Sequence, residues 1–289
     1  MTDKASLTDK IITLPQYFLP HHPLSRIMHK LTRSKVKWWK QLFIDQIVKS
    51  YGVDMSLAVR ESTKDYDSFN EFFTRTLKPE ARPVITDKNK LACPVDGAIS
   101  QLGKIEDGDI FQAKGRSFTV QQLLACDEEI CKRFEHGTFA TIYLSPKDYH
   151  RIHIPVDGEL EKMVHVPGRL FSVNPRTTRT VNGLFARNER VVTLFDTPVG
   201  SMALVMVGAI FVASIETVWA GEVTPPAGSQ VRSWDYKNEK ISLKKGDELG
   251  RFNMGSTVIL LFEKDRIKWS PELSANSPVI MGQYLADKS

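Results

Sequence analysis

The sequence predicts an α+β protein in which a helical N-terminal region lies on a largely antiparallel β core. Residues 11–50 place apolar side chains at helical spacing, with Lys and Arg between them. From about residue 91 the pattern changes to short apolar runs separated by Gly, Pro and Asp, which is typical of strands joined by turns. Gly52 fits the end of the last N-terminal helix, so we divide the chain into a region 1–53 and a β-rich body 54–289.

The composition is that of an ordinary globular protein. The chain has 289 residues, of which 42% are hydrophobic and 25% are charged, enough for one large domain or two small ones. The three cysteines, Cys93, Cys126 and Cys131, are too few for a disulfide scaffold, and their spacing is not that of a zinc site. The polar start lacks the apolar stretch of a secretory signal. We therefore expect an intracellular protein.

The positive charge is concentrated in the N-terminal region. The whole chain carries a net charge of +5, whereas the first 50 residues hold nine Lys or Arg and three Asp, a net +6. Trp38 and Trp39 lie among Lys35, Lys37 and Lys40. One interpretation is an amphipathic helix packed on the core, and another is a helix lying on an anionic membrane surface. Nucleic acid is a third, but no recognition motif accompanies the charge.

Two apolar segments in the second half of the chain require interpretation. The 19 residues 197–215 are uncharged but contain Pro198, Gly200 and Gly208, so we expect two core strands rather than a membrane span. The segment "RFNMGSTVILLF" at 251–262 has the pattern of a buried strand interrupted by Gly and Ser. A glycine inside a strand usually marks a bulge or a close backbone approach.

Four residues could carry chemistry. Asp96 lies in "CPVDGAIS", where Asp-Gly is also a common turn signal. His150 and His153 lie in "SPKDYHRIHIP", an extended segment in which residues three apart face opposite sides, so a shared metal is the weaker interpretation. A structural and a catalytic role are about equally supported for the two histidines. Ser256 lacks the lipase-type G-x-S-x-G motif, but Asp, His and Ser together can activate a hydroxyl.

Several segments together resemble bacterial phosphatidylserine decarboxylases. They occur in the order of the family and span about residues 14–285. The segments are "FNEFFTRTLKPEARP" at 69–83, "PVDGAIS" at 94–100, "YLSPKDYHRIHIP" at 143–155, "LFARNERV" at 184–191, "ASIETVWAG" at 213–221 and "GRFNMGSTVILLF" at 250–262. Met254 stands where the family usually has Leu in its processing motif, a change of similar volume and polarity from which we expect little effect.

The resemblance implies a proenzyme that cuts itself between Gly255 and Ser256, giving a β chain 1–255 and an α chain 256–289 that stay associated. Ser256 is then both the nucleophile and the precursor of a covalent pyruvoyl group, which forms a Schiff base with the substrate. His153 matches the base for self-cleavage and Asp96 the residue that orients it. His150 matches a residue of the decarboxylation step, for which we expect a general acid.

The implied reaction converts phosphatidylserine to phosphatidylethanolamine and carbon dioxide. The lipid substrate favours the membrane interpretation of the N-terminal helix, with Lys35, Lys37, Trp38, Trp39 and Lys40 at the interface. We expect a peripheral protein on the cytoplasmic face of a bacterial inner membrane, a homodimer by analogy with relatives, and neither metal nor nucleic acid as a partner.

Two other functions remain open at this point. An Asp-His-Ser hydrolase of lipids or peptides would remain one chain and would react with a fluorophosphonate at Ser256. A non-enzymatic, membrane-binding β-barrel module would release no carbon dioxide and form no ketone. The segment 242–252 resembles turns of lipoyl-type and sugar-phosphotransferase-type domains, which is the feature that favours such a module.

Overall fold

The computed structural model describes residues 5–210, 214–225, 229–253 and 256–289. Helices dominate the N-terminal region of this described part and antiparallel strands dominate the rest, so the predicted α+β class is confirmed. The helices are α1 (Leu7–Thr13), α2 (His21–Thr32), α3 (Lys37–Tyr51), α4 (Phe69–Phe73), α5 (Val120–Leu124), α6 (Glu128–Lys132), α7 (Pro175–Thr180) and α8 (Leu184–Arg187). Short 3-10 turns cover Leu14–Tyr17, Met55–Leu57, Thr63–Asp65 and Pro79–Ala81.

The strands follow from residue 90 onwards. They are β1 (Lys90–Ala92), β2 (Gly97–Lys104), β3 (Asp109–Ala113), β4 (Arg116–Thr119), β5 (Thr138–Leu144), β6 (Arg151–His153), β7 (Gly158–Val166), β8 (Arg190–Thr197), β9 (Gly200–Val207), β10 (Ile215–Thr217), β11 (Gly221–Glu222), β12 (Arg232–Asp235), β13 (Ser242–Leu243), β14 (Glu248–Phe252), β15 (Ser256–Phe262), β16 (Ile267–Trp269), β17 (Pro278–Val279) and β18 (Tyr284–Lys288).

The largest sheet has nine strands in the order β12-β7-β8-β9-β15-β5-β2-β17, with β13 also paired to β7. Strand β15 lies between β9 and β5, and all seven of its residues are buried. Val258 and Leu260 pack into the core on one face of the sheet, while Ile259 and Leu261 pack into the core on the other. Burial on both faces explains why "TVILLF" is continuously apolar instead of alternating.

A four-stranded sheet, β11-β10-β14-β6, lies beside the large one. Its strand β14 ends at Phe252 and β15 begins at Ser256, so the run 251–262 is two strands in two different sheets. The prediction of a single interrupted strand, which the apolar pattern favours, is therefore wrong. Of the uncharged stretch 197–215, Gly200–Val207 is a core strand as predicted and Ile215 begins another, while residues 211–213 lie outside the described part.

The N-terminal region consists of separate helices. Pro15 and Pro20 lie between α1 and α2, where the missing N–H of proline disfavours a continuous helix. Helix α3 ends as predicted at Gly52, whose φ of 65° is easy for glycine and whose N–H donates to the Val48 carbonyl over 2.9 Å.

These helices contact the β-rich body as well as solvent. Ile44 of α3 is fully buried, and the Phe43 ring lies 4.2 Å from that of Phe69 in α4. Asp9 of α1 accepts hydrogen bonds of 3.1 and 3.2 Å from Arg179 of α7. One face of the N-terminal helices therefore packs on the core, as the first interpretation of their sequence pattern predicts. Among the described residues, no helix has the length and apolar character that crossing a membrane requires.

Candidate active site

Ser256 opens the central strand β15 and borders an apolar cavity. The residue is fully buried, its backbone pairs with Leu144 of β5, and its Oγ has no hydrogen-bond partner among the described residues. A buried hydroxyl without a partner costs free energy, which is why such groups often mark functional sites. Met254 and Gly255, including the predicted cleavage position before Ser256, lie outside the described residues.

The cavity has a volume of about 500 Å³ and lies between helices α3 and α4 and the end of β5. Its lining is mainly apolar, with a few hydroxyl and amide groups. The lining residues are Ile47, Tyr51, Phe69, Phe73, Tyr143, Leu144, Pro146, Ser172, Val173, Asn174, Ala209, Ile210 and Ser256. A cavity of this size and polarity suits a ligand with a large apolar part and few polar groups.

His150 lies directly behind the wall of this cavity. Its ring is fully buried and its centroid is 4.1 Å from that of Phe73, a lining residue. Nδ1 lies 2.8 Å from the Asp148 carbonyl oxygen, which can only accept, so Nδ1 carries the proton. Burial lowers the pKa of His150 to about 3, so the ring is neutral at pH 7 and Nε2 holds a lone pair. Nε2 has no partner among the described residues, so its lone pair is not engaged in a hydrogen bond there.

His153 ends β6 and contacts a different set of groups. Its Nδ1 lies 2.8 Å from the Gly246 carbonyl oxygen, and its Nε2 lies 3.4 Å from the Tyr149 hydroxyl. Burial lowers the pKa of His153 as well, so the ring is neutral at pH 7 and the lone pair lies on Nε2. The two histidines therefore face different surroundings, as the extended segment predicts.

Asp96 is bound by groups other than His153. Its carboxylate accepts hydrogen bonds from Arg82 Nε over 2.8 Å and from the Met281 N–H over 2.9 Å. The hydrogen-bond partner of His153 Nδ1 is the Gly246 carbonyl. Both Asp96 and Arg82 lie close enough to Tyr149 to act on its pKa, which burial raises to about 12. Within the described residues, Tyr149 contacts His153 but makes no hydrogen bond to Asp96, and the orienting role of Asp96 stays a prediction.

The register of β14 places the two histidines at different distances from the cleavage position. The backbone carbonyl of His150 accepts the Phe252 N–H over 3.0 Å, at the end of β14, whereas His153 pairs with Glu248. Four residues of strand separate Glu248 from Phe252, which corresponds to about 13 Å. The structure therefore places His150 behind the wall of the cavity that Ser256 borders, His153 against Tyr149, and Asp96 against Arg82.

Sequence reasoning missed three residues that complete these surroundings. Arg82 holds Asp96, Tyr149 contacts His153, and Phe73 separates His150 from the cavity. Arg82 and Phe73 lie in the segment 69–83 that carries part of the resemblance, but nothing local in the sequence pairs them with Asp96 or His150. In the described part of the chain, no group of three or more His, Cys, Asp or Glu side chains is arranged to hold a metal ion.

A buried serine at a strand start, an apolar cavity and two neutral histidines define an enzyme site for a lipid-like substrate. Comparison with known proteins gives the family. A profile described as "Phosphatidylserine decarboxylase" matches residues 69–287, and one described as "PSD" matches residues 11–52. The chain belongs to the phosphatidylserine decarboxylase family.

Curated relatives share nearly the full length of the chain. A phosphatidylserine decarboxylase proenzyme of Idiomarina loihiensis is 53% identical over 283 residues, covering 97% of this chain and 97% of the relative. A proenzyme of the same name from Hahella chejuensis is 51% identical and covers 97% of this chain and 94% of the relative. One from Pseudomonas putida is 53% identical, with coverages of 97% and 98%. These comparisons give no support to a hydrolase or a non-enzymatic module.

Proposed function

We propose that this chain is a self-cleaving, pyruvoyl-dependent decarboxylase that converts phosphatidylserine to phosphatidylethanolamine and carbon dioxide. One observation carries the proposal: the fully buried Ser256 hydroxyl, which has no hydrogen-bond partner in the described part of the chain, borders a cavity whose lining suits a lipid. Membership of a family whose curated relatives are named as proenzymes supports the processing step.

The topology fits cleavage between residues 255 and 256. Before that bond the chain is held by β14 in the four-stranded sheet, and after it by β15 between β5 and β9. Each new end therefore keeps its own hydrogen-bonded neighbours when the bond breaks. An α chain of residues 256–289 would stay associated through the buried apolar side chains of β15.

Self-cleavage needs only this chain and water. A base takes the Ser256 hydroxyl proton, Oγ bonds to the carbonyl carbon of Gly255, and the peptide C–N bond breaks as its nitrogen gains a proton. Removal of the Cα proton of residue 256 then expels the Gly255 carboxylate from Cβ. The resulting dehydroalanine tautomerises, and water replaces its nitrogen as ammonia. We assign the base to His153 and the role of orienting it to Asp96, as the resemblance implies.

The residues around Ser256 fit a pyruvoyl group at that position, because the Ser256 side chain is buried, free of hydrogen bonds among the described residues, and open to the cavity. A pyruvoyl ketone supplies an electron sink for the pair of electrons left when carbon dioxide departs. Of the two histidines, His150 lies nearer the cavity, behind Phe73, and we assign to it the delivery of a proton to the α carbon. The apolar lining holds the lipid and excludes water.

We place the protein at the cytoplasmic face of a bacterial inner membrane, held by the N-terminal apolar surface. We define this surface as the exposed side chains of Leu7, Ile11, Ile12, Leu14, Phe18, Trp38 and Leu42. Phe18 is 81% exposed and Trp38 is 70% exposed, which is unusual for such large apolar side chains. Lys35 and Lys37 are exposed near Trp38 and can contact anionic headgroups.

The resemblance also implies a homodimer, which light scattering of the purified protein tests.

Not every residue predicted for the membrane contact faces outward. Trp39 is half-buried and donates from Nε1 to the Leu31 carbonyl over 3.1 Å. Lys40 donates to the carbonyl oxygens of Lys64 and Tyr66. These two side chains stabilise the packing of α3, so Lys35, Lys37 and Trp38 are the residues with which to test membrane binding.

We expect the double variant Lys35→Glu/Lys37→Glu to bind anionic vesicles more weakly at low salt. Each basic residue near such a surface contributes about 1 kcal/mol, so losing two corresponds to a roughly 30-fold loss of affinity. Vesicle flotation measures the binding. The matched control is Lys88→Glu/Lys264→Glu, the same charge change at exposed lysines away from the N-terminal helices. Equal binding by both double variants would place the membrane contact on another surface.

A further inference from the structure

A polar network joins helix α2 to the residue that lies two positions before Gly255. Asn253 is fully buried, and its backbone N–H donates to the Ser214 carbonyl oxygen over 2.9 Å. Its side-chain Nδ2 donates to the Ser214 hydroxyl and, over 2.8 Å, to Glu216 Oε1. Three hydrogen bonds therefore fix the position and the side-chain orientation of Asn253.

The same Ser214 hydroxyl is held from the other side by Arg33, at the end of α2. Arg33 Nη2 donates to Ser214 Oγ over 3.1 Å and to Glu222 Oε2 over 2.8 Å. His29, one turn earlier, lies 2.8 Å from the other Glu222 carboxylate oxygen. Ser214 therefore links Asn253 to α2. Arg33 and Ser214 are 181 positions apart in the chain, and Ser214 and Asn253 are 39 positions apart. The Arg33 and His29 contacts exist only when α2 is docked on the β-rich body, whereas the hydrogen bonds of Asn253 lie within that body.

Attack of Ser256 Oγ on the carbonyl carbon before it requires that both sides of the bond be held. On the C-terminal side, Ser256 is fixed in β15 by its pairing with β5. On the N-terminal side, β14 ends at Phe252, and Asn253 is the last described residue before the bond. Among the described contacts on the N-terminal side of the 255–256 peptide bond, the hydrogen bonds of Asn253 to Ser214 are therefore the nearest to that bond in the chain. Correct orientation of reacting groups is worth several powers of ten in rate.

We propose that Arg33, acting through Ser214 and Asn253, positions the cleavage segment, so that docking of α2 is needed for self-cleavage. This proposal rests on the self-cleavage proposed above and assigns the N-terminal region a role in maturation that is separate from membrane contact. Arg33, Ser214 and Asn253 are positioning residues. None of them exchanges a proton with Ser256.

The test follows the rate at which newly synthesised chains split, in a cell-free reaction without membranes, by intact-mass measurement. We expect Arg33→Ala to slow splitting about tenfold or more, because it removes charge-assisted hydrogen bonds from the network. Ser214→Ala should have a similar effect, and the double variant should be no slower than the slower single one, since both break the same connection. Arg33→Lys should recover part of the rate because an ammonium can still donate to Ser214 or Glu222.

The matched control is Arg26→Ala. Arg26 lies on the same helix, is exposed, and makes no hydrogen bond or ion pair with the described residues, so this variant loses the same charge without touching the network. It should split at the wild-type rate. A melting temperature close to wild type in the Ser214→Ala chain would show that slow splitting is not caused by unfolding.

The outcomes separate this proposal from the one it rests on. A wild-type chain that never splits would overturn the proposed function itself. A wild-type chain that splits normally, with Arg33→Ala and Ser214→Ala splitting equally fast, would overturn only the role of the network. Slow splitting in Arg26→Ala as well would also overturn it, because the charge of α2 and not the network would then set the rate.

Discussion

We expect the His153→Ala chain to remain intact at 289 residues, with no α chain and no decarboxylase activity. Burial keeps the His153 ring neutral, and the hydrogen bond from Nδ1 to the Gly246 carbonyl leaves the lone pair on Nε2, which faces the Tyr149 hydroxyl. Removing a general base typically slows a reaction by about 10²–10⁴-fold. Intact-mass measurement over hours to days after synthesis gives the cleavage rate. His136→Ala, a change at an exposed histidine, is the control and should cleave normally.

The opposite assignment has a clear signature. His150, not His153, lies beside Phe252, the last residue of β14. If His153→Ala split normally while His150→Ala stayed one chain, the base for cleavage would be His150, and the role of His153 would be wrong. Failure of both variants to split would mean that cleavage uses both rings.

The second large effect concerns His150. We expect His150→Ala to split into two chains but to release carbon dioxide about 10²–10⁴-fold more slowly. The His150 ring lies behind Phe73 at the cavity wall, and we assign to it the delivery of a proton to the substrate α carbon. Titration of the ketone with phenylhydrazine gives the number of matured sites, and carbon dioxide release per site gives the turnover.

His150→Gln separates proton transfer from packing. Glutamine is similar in size and can still donate to the Asp148 carbonyl, but its amide does not act as a base near pH 7. The account expects the Gln variant to be as slow as the Ala variant. Turnover close to wild type with Gln would show that His150 serves only to support the cavity wall.

Much of the fold could be predicted from local patterns. The helical spacing at 11–50, the stop at Gly52 and the short apolar runs after residue 91 reflect local backbone preferences and periodic burial, so the α+β class followed from them. The family followed from motifs in order over most of the chain. The apolar run "TVILLF" indicated a buried strand, which β15 is.

Contacts between distant segments could not be predicted in this way. Arg82 binds Asp96 and Phe73 covers His150, because the fold brings separate segments together. The division of 251–262 between two sheets also depends on strand partners elsewhere in the chain. The basic N-terminal pattern fits a packed helix and a membrane helix equally well, since one face of α3 packs and the other is exposed.

The most direct test of the central claim is the intact mass of the purified wild-type protein. The account predicts two chains, one of residues 1–255 and one of residues 256–289 whose first residue carries a ketone in place of the serine amine and hydroxyl. Borohydride should add two hydrogens to the smaller chain and abolish carbon dioxide release. A single chain of 289 residues in a preparation that decarboxylates phosphatidylserine would contradict the account.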